Sequence, residues 1–328
     1  MKVGVLQFFG WPDRGIELAS VYTRAIERFE IMDRTGYDAV WLAEHHFSSF
    51  SVCPSVHMMA TMAAARTKRL RIGTAVSLAP FYHPLRLAEE VALLDVLSDG
   101  RVNWGAGRGF SSGEFAAFGI PMEESTLRFR ETVDIVLAAW REARLTHRGQ
   151  HFQFDAVEVL PKPVQQPHPP VWMAATSEAA IDWAAGRGFS ILMDPHCTHA
   201  ELGTKRGRYG EKLAEAGFST SGRDIPMARL IAVADNAERA EAIARRGAAW
   251  MVGSYIGPRP KPGQSASVGA ADPVERYVEE VIIHGEPDAV VDQILSLEDS
   301  AALNYLLCAP LSRESFTLLT DKVLNKLL

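Results

Sequence analysis

Short apolar runs rich in β-branched residues alternate along the chain with longer segments in which apolar residues recur at helical spacing. Each of the eight apolar runs is followed by such a segment. The runs lie at 2–8, 38–44, 70–79, 101–109, 169–176, 189–195, 225–235 and 302–310. Near-continuous apolar strands separated by helices are typical of a parallel sheet covered on both faces, and eight units favour a closed barrel. The pattern therefore predicts an α/β fold in which residues 1–328 form a single (β/α)8 TIM barrel.

Two segments interrupt this rhythm. The stretch HFQFDAVEVL at 151–160 alternates between apolar and polar residues and predicts a small inserted hairpin. The stretch GSYIGPRPKPGQSASVGAAD at 253–272 is rich in Pro, Gly and Ser, and precedes a further helix that begins with PVERYVEEVII. Long loops of this kind are usually lids or disordered segments. We expect a mobile lid on the catalytic face of the barrel, with a tolerated surface insertion as the alternative.

Composition and charge narrow the class of protein. Of the 328 residues, 47% are hydrophobic and 23% are charged, and the formal net charge is -6. These values predict a large core and argue against nucleic-acid binding. The three cysteines lack CxxC spacing and indicate reduced intracellular thiols. We find no signal-peptide pattern and no run of about 18 apolar residues, so we expect a cytoplasmic protein that does not bind a membrane.

In a (β/α)8 barrel the active site is built at the carboxyl ends of the strands. Glu44, His45 and His46 stand together where the second strand ends. Because successive strand residues point to opposite sides, at most one of the two histidines can face the barrel axis. A metal site is the rival interpretation, but the chain has no HxH, HExxH or CxxC spacing, and we expect no metal.

The fourth and fifth strands end in residues suited to a phosphate group. Arg108 lies between Gly107 and Gly109, which allow close approach of a ligand to the backbone, while its guanidinium matches a phosphate. The alternative is a glycine turn with the arginine paired to a carboxylate. Thr176 and Ser177 precede a helix, where they either cap it or seat a phosphate at its N-terminus.

The third strand ends in small residues, in the stretch GTAVSLAPFYHP at 73–84. Side chains of this size let a flat group approach the backbone closely. Together the strand ends describe a pocket with a phosphate clamp on one side, an apolar floor, and His45 on the other side. A phosphorylated planar cofactor fits this description.

Three stretches resemble the luciferase-like flavin-dependent monooxygenases, whose type member is the bacterial luciferase α subunit. They are VWLAEHHF, GTAVSLAPFYHPLRLAEEVALLDVLSDGRVNWGAGRG and VWMAATSEAAIDWAAGRGF. The likeness runs from the first strand to about residue 190 and continues more loosely to the end. It implies a TIM-like barrel that uses reduced FMN (FMNH2) and O2, supplied with FMNH2 by a separate NAD(P)H-dependent flavin reductase. It further implies a C4a-(hydro)peroxyflavin that oxygenates a small organic substrate, an aldehyde or ketone.

The resemblance also assigns roles to individual residues. It makes His45 the catalytic histidine and Arg108 the phosphate-binding arginine. Thr176 and Ser177 match phosphate-binding positions. The bond between Ala75 and Val76 matches a non-prolyl cis peptide that supports the flavin ring. Glu114 matches an acidic position of the family that we expect near the substrate. The family further suggests a homodimer, and the apolar face of the second and third helices (MMATMAAA) is a candidate interface, with ordinary barrel packing as the alternative.

The chain departs from luciferase at three matched positions. Gly107 replaces a cysteine and is expected to make room beside the flavin, Thr176 replaces a glutamate, and Ala180 replaces a phosphate-contacting threonine. We therefore do not expect light emission. Two other functions stay open: hydride transfer with the deazaflavin F420, and a non-catalytic flavin-binding subunit.

Overall fold

A computed structural model describes residues 1–256 and 272–328. Within them, eight parallel strands correspond one for one to the eight apolar runs of the sequence. These strands are β1 (Lys2–Gln7), β2 (Ala39–Leu42), β3 (Arg71–Thr74), β4 (Val102–Gly107), β5 (Val171–Ala174), β6 (Ser190–Leu192), β7 (Pro226–Val233) and β8 (Tyr305–Pro310).

The strands pair in chain order from β1 to β6, and β8 lies between β7 and β1. The ring closes just beyond β6, where the N–H of Met193 donates to the carbonyl of Pro226 at 2.9 Å. The N–H of Ala228 donates back to the carbonyl of Met193 at 3.1 Å. The predicted (β/α)8 barrel is therefore confirmed.

Twelve α-helices occur in the described residues. They are α1 (Leu18–Arg34), α2 (Val56–Arg66), α3 (Pro84–Leu97), α4 (Ser112–Ala117), α5 (Ser125–Arg141), α6 (Glu178–Gly186), α7 (His199–Glu215), α8 (Ala237–Met251), α9 (Pro273–Glu280), α10 (Pro287–Ala301), α11 (Arg313–Leu318) and α12 (Leu324–Leu327). Short 3-10 turns lie at Pro12–Arg14, Ala79–Phe81 and Met122–Glu124, and π-helical turns at Val252–Ile256 and Leu319–Val323. None of the helices in the described residues combines the length and apolar character that a membrane span needs.

Short strands lie outside the barrel ring. Ser77–Leu78 pairs with the end of β4, and Ile283–Gly285 pairs with the end of β7. The predicted hairpin is present, but its two strands are Leu145–Arg148 and Gln153–Val157, so it begins before the predicted range 151–160. Its turn is held by Glu131 of α5, whose carboxylate accepts hydrogen bonds from the N–H groups of His151 and Phe152. This tertiary anchor leaves no local signal in the hairpin sequence.

The connection between β7 and β8 differs from the prediction. The sequence pattern makes helix α8 the covering helix of the seventh unit. In the structure, Ile243 and Ala244 of α8 belong to the same buried cluster as the barrel-interior residues Trp41 and Leu230. Helix α10 covers the outside of the sheet instead and packs beside α7. The chain from α8 to Ile283–Gly285 is therefore an insertion at the carboxyl end of β7. The lid predicted at 253–272 falls almost wholly on 257–271, outside the described residues, and stays a prediction.

Bulky aromatic side chains fill the barrel interior. The rings of Trp41 and Trp172 meet edge to face with centroids 5.2 Å apart, and Trp41 Nε1 donates to the hydroxyl of Tyr305 at 3.1 Å. Large side chains at these positions require their neighbours to be small. A β-carbon at Gly105 of β4 would lie 1.9 Å from the carbonyl oxygen of Thr74 and 2.8 Å from Leu192. Gly105 thus allows β3 and β4 to approach each other.

We expect Gly105→Ala to lower the free energy of unfolding by at least about 1–3 kcal/mol, because the clash is with backbone and cannot be relieved by a rotamer change. Urea unfolding followed by circular dichroism measures the change. The matched control is Gly207→Ala in α7, where an added β-carbon meets nothing within 4 Å. It should stabilise the helix by about 0.5–1 kcal/mol. Equal effects of the two substitutions would contradict this account of β4.

Candidate active site

The carboxyl ends of the strands surround a cavity of about 840 Å³. Every strand of the barrel, or the loop that follows it, contributes to its wall. Of the predicted site residues, eight line the cavity: His45, Ala75, Val76, Gly107, Arg108, Gly109, Thr176 and Ser177. The ninth, Glu114, is not in the wall. Further lining comes from apolar residues: Leu6, Phe8, Leu78, Phe110, Leu192, Ala228 and Leu307.

The two adjacent histidines point in different directions, as the strand geometry predicts. His45 lines the cavity, where its ring lies 5.1 Å from that of Phe50. The ring of His46 turns away, makes a 2.9 Å hydrogen bond from Nε2 to Glu44 Oε1, and packs edge to face against Phe118 at 4.8 Å. Only His45 of this pair is therefore placed to meet a molecule in the cavity.

Glu44 is a buried carboxylate that ties three elements together. Besides the contact with His46, its Oε2 accepts hydrogen bonds from the N–H of Leu78 at 3.2 Å and from the hydroxyl of Tyr82 at 2.9 Å. Burial and the charge of Glu44 raise the pKa of Tyr82, so the phenol stays protonated and keeps donating. Glu44 thus joins the end of β2 to the turn that follows β3.

Glu114 lies behind His45. Its Oε1 accepts a hydrogen bond from the N–H of His46 at 2.9 Å and lies 3.7 Å from His45 Nδ1. The Oγ of Ser111, which caps α4, accepts a hydrogen bond from the Glu114 N–H and so fixes the start of the helix. Burial raises the pKa of Glu114, but the contacts with His45 and with the N–H of His46 outweigh it, and the pKa lies below its ordinary value. The carboxylate therefore lies beside His45 and outside the cavity wall, and its role near the substrate stays a prediction.

Arg108 projects into the opposite side of the cavity. Its Nη1 donates to the hydroxyl of Ser125 at 2.9 Å, and no ion pair with a carboxylate of the described chain occupies it. The described residues therefore do not support the alternative in which Arg108 pairs with a neighbouring carboxylate. Arg130 of α5 also lines the cavity, with its guanidinium 5.2 Å from the ring centroid of Trp183. The sequence did not indicate Arg130, because it lies on a helix and not at a strand end.

Ser177 caps α6, and its Oγ accepts a hydrogen bond from the N–H of Ala180 at 3.3 Å. Its capping role is confirmed, and the helix N-terminus with Thr176 and Ser177 faces the cavity. The N–H groups of such an N-terminus favour anions.

The floor between these two sides is made of small residues. The peptide bond between Ala75 and Val76 is cis. Gly107 does not leave open space, because a β-carbon there would lie 2.3 Å from Cγ2 of Val76. The expectation that Gly107 makes room beside a flavin therefore needs correction: the space is filled by Val76, and the glycine lets the Val76 side chain pack onto β4. Gly109 has a φ of +77°, which favours glycine.

The segment after β6, residues 194–197, forms a polar wall of the cavity that the sequence did not predict. Asp194 Oδ1 accepts hydrogen bonds from the N–H groups of His196 and Cys197, at 2.9 and 3.0 Å, and Lys205 lies 3.4 Å from Asp194 Oδ2. His196 lines the cavity, and its Nδ1 is hydrogen-bonded to the hydroxyl of Tyr277. The sequence signal was present, since DPHC directly follows the sixth strand, but it matches no spacing of a known motif.

Arg229, wholly buried on β7, supports this wall from the face of the strand opposite to Ala228 and Leu230. Its Nη1 donates to the carbonyl of Cys197 at 2.8 Å. Burial lowers the pKa of His196 to about 4, against the opposing effect of Asp194 and with a further lowering by Arg229. His196 is therefore neutral at neutral pH.

The described residues hold no group of three His, Cys, Asp or Glu side chains arranged as a metal site.

The strand order and the strand-end cavity define a parallel (β/α)8 barrel with a site at the carboxyl ends of its strands, and comparison with known proteins narrows the class. The model of the luciferase-like monooxygenases matches residues 1–304, and the chain belongs to this family. The uncharacterized protein y4wF of Sinorhizobium fredii is 31% identical over 319 residues, which cover 93% of this chain and 91% of that protein. The alkanal monooxygenase alpha chain of the Kryptophanaron alfredi symbiont is 30% identical over 241 residues, covering 74% and 68%.

Two other proteins add to the comparison. The oxygenase component of the flavin-dependent trigonelline monooxygenase of Acinetobacter baylyi is 32% identical over 228 residues, 68% of this chain and 62% of that protein. Among solved structures, monooxygenase RslO1 from Streptomyces bottropensis superposes with a TM-score of 0.87 at 26% identity, over 100% of both chains.

We expect Glu114→Gln to lower the free energy of unfolding at pH 7 by about 1.5–3 kcal/mol, the range for a hydrogen bond to a charged group. Because the folded pKa lies below the ordinary 4.5, the carboxylate stabilises the fold above about pH 4.5. This contribution is lost as the pH falls through the folded pKa. Urea unfolding of both proteins from pH 7 downward should show the difference narrowing in acid. Glu123→Gln, at an exposed glutamate nearby, is the control and should change stability little. A difference that stays constant with pH would show that Glu114 acts only through packing.

Proposed function

We propose that this protein is a flavin-dependent monooxygenase that uses FMNH2 and O2 to oxygenate a small organic substrate. The observation that carries the proposal is the division of one cavity into a cationic end and a histidine end. Arg108 and the N-terminus of α6 stand at the first, and His45 stands at the second. The flavin-dependent trigonelline monooxygenase named above supports the choice of cofactor.

The donor set at the cationic end fits the phosphate of FMN. A guanidinium forms paired hydrogen bonds with phosphate oxygens, and helix N–H groups add further donors. Arg108, Thr176 and Ser177 would hold the phosphate, with Arg130 adding positive charge. The cavity volume lies within the range of about 300–1,000 Å³ typical of cofactor pockets.

The floor fits the ring system of a flavin. Ala75, Val76 and Ala174 present small or β-branched side chains, so a planar group can lie close to the backbone. Leu6 and Leu192 extend the same surface with apolar side chains. An apolar wall excludes water, which favours transfer of oxygen to the substrate over release of H2O2.

When bound, FMNH2 supplies the two electrons with which one atom of O2 is reduced to water while the other enters the substrate. The chain's own contribution is at His45, whose ring moves a proton at the reacting end of the cavity. The contact of Nδ1 with Glu114 orients the ring and assigns the proton transfer to Nε2. His196, neutral and held by Tyr277, offers a hydrogen-bonding group to the substrate from the opposite wall.

Hydride transfer with F420 is the second candidate, since enzymes with this cofactor share the fold at 17% identity. The acidic tail of F420 calls for free cations near the mouth. Two of the three cations in the basic run at 205–208 are already paired, Lys205 with Asp194 and Arg208 with Asp182 and Glu178. These ion pairs favour FMN.

We also propose that a separate NAD(P)H-dependent reductase delivers FMNH2 and that the protein is a homodimer. Support for the dimer comes from an exposed apolar surface on two neighbouring helices. Met58 of α2 is 75% exposed, and Leu93, Val96 and Leu97 of α3 are all exposed. Burial of such a surface against a second copy would be favourable.

We expect Arg108→Gln to weaken FMN binding by at least tenfold while riboflavin, which lacks the phosphate, binds as before. The reason is the loss of a charged contact worth about 1.5–3 kcal/mol. Fluorescence titration of the purified protein with FMN, riboflavin and F420 measures the three affinities. Arg34→Gln, an exposed arginine at the end of α1, serves as the control. If F420 binds more tightly than FMN, or if Arg108→Gln weakens both flavins equally, the assignment of the phosphate site is wrong.

We expect His45→Gln to keep its affinity for FMN but to lose oxygenation by about 10²–10⁴-fold, the usual contribution of a positioned acid or base. The protein is supplied with photoreduced FMN and a panel of aldehydes and ketones, and both oxygenated product and H2O2 are measured. In the variant, H2O2 should account for nearly all of the flavin oxidised. His46→Gln is the matched control, because its ring does not line the cavity. Equal losses in the two variants would remove the special role of His45.

A further inference from the structure

A second cavity, of about 470 Å³, lies beside the first. Its wall is formed by α1, by the ends of β1 and β8, by the start of α11 and by the end of α8. Leu6 and Phe8 of the β1 end line both cavities, so a single layer of side chains separates them. Neither the family assignment nor the proposed reaction gives this second cavity a role.

Three arginines line this cavity. Arg24 and Arg28 lie one turn apart on α1, and Arg313 is the first residue of α11. Arg28 is half-buried, with its guanidinium 5.0 Å from the ring centroid of Phe316 and its Nη1 3.4 Å from the side-chain oxygen of Gln7. Across the described part of the chain, no carboxylate forms an ion pair with any of the three. Glu27 also lines the cavity, but it pairs with none of them.

The electrostatic cost of this arrangement falls mainly on Arg28, because Arg24 and Arg313 are exposed. Burial lowers the pKa of Arg28, and the positive charges of Arg24 and Arg313 lower it further. Most other arginines of the described chain have a carboxylate or a set of carbonyl groups as partner, whereas this cluster concentrates like charges beside a low-dielectric wall. An anion placed between the guanidinium groups would offset both the repulsion and the loss of hydration.

Much of the remaining cavity wall is apolar, although Gln7, Glu27, Ser312 and Thr317 also line it. The apolar part includes the aromatic rings of Phe8, Phe50 and Trp250 and the side chains of Met251 and Leu311. A small inorganic anion would leave this surface uncovered, whereas an anion attached to an apolar body would cover it and gain its burial.

We propose that the second cavity binds an organic anion, a carboxylate or a phosphate monoester carried on an aromatic body. The oxyanion lies among Arg24, Arg28 and Arg313, where planar guanidinium groups form paired hydrogen bonds with its oxygens. The aromatic body lies against Phe50 and Trp250. The site is independent of FMN and of the reaction proposed for the first cavity.

The test uses the full-length protein saturated with FMN, so that the first cavity's phosphate site is filled. Isothermal titration calorimetry is run with 2-naphthoate, with 2-naphthyl phosphate and with the uncharged 2-naphthylmethanol. At least one of the two anions should bind at least tenfold more tightly than the neutral compound. The tighter of the two shows whether a carboxylate or a phosphate is preferred.

Variants then locate the binding. Arg28→Gln and Arg313→Gln should each weaken binding of the preferred anion by at least tenfold, while Arg34→Gln on the same helix α1 leaves it unchanged. Arg313 is exposed, so its variant tests the site even if Arg28→Gln fails to fold. The proposal is overturned if neither anion binds better than the alcohol or if Arg313→Gln binds like the unmodified protein. It is equally overturned if Arg108→Gln, and not the cavity variants, abolishes binding. Failure of FMN to bind would count against the proposed function alone, because the same titrations can be run without it.

Discussion

The hydrogen bonds that Met193 makes with β7 close the sheet, and the geometry of the site depends on that closure. An open sheet would spread its strand ends along a line, so that β2 and β6 would lie far apart. In the closed ring they stand on opposite sides of one cavity, and His45 faces the wall that carries His196. Closure also removes the free sheet edges that would otherwise pair with other chains.

Closure in turn places polar groups in a region with little water, where each needs a partner. Two buried carboxylates meet this need at the end of β2. Glu44 holds His46, Tyr82 and a backbone N–H, while Glu114 holds the other side of the same turn. Glu44 and Glu114 thus anchor the chain on both sides of His45. On the opposite wall, Asp194 accepts a hydrogen bond from the N–H of His196, and the buried Arg229 donates to the carbonyl of Cys197 beside it.

The eight strands could be predicted because burial on both faces makes each of them a continuous apolar run, and the strand-end residues follow from the barrel rule. The helices α8 and α10 could not be told apart in this way, since both are amphipathic and only the tertiary packing decides which one covers the sheet. Arg130 was missed because it reaches the cavity from a helix. The role of Gly107 was misjudged because the Val76 side chain that fills its space is distant in sequence.

The net charge of the chain excludes a polyanion surface but says nothing about charges concentrated at a cavity. Among the cations that line the first cavity, Lys205 is paired with Asp194, whereas Arg108 and Arg130 form no ion pair with a described carboxylate. Arg108 lies where a phosphate is expected. The cluster of Arg24, Arg28 and Arg313 also forms no ion pair with a described carboxylate, and it lies across the thin wall of Leu6 and Phe8. An anion bound at either place would offset the loss of hydration of a guanidinium that lies beside an apolar wall without a carboxylate partner.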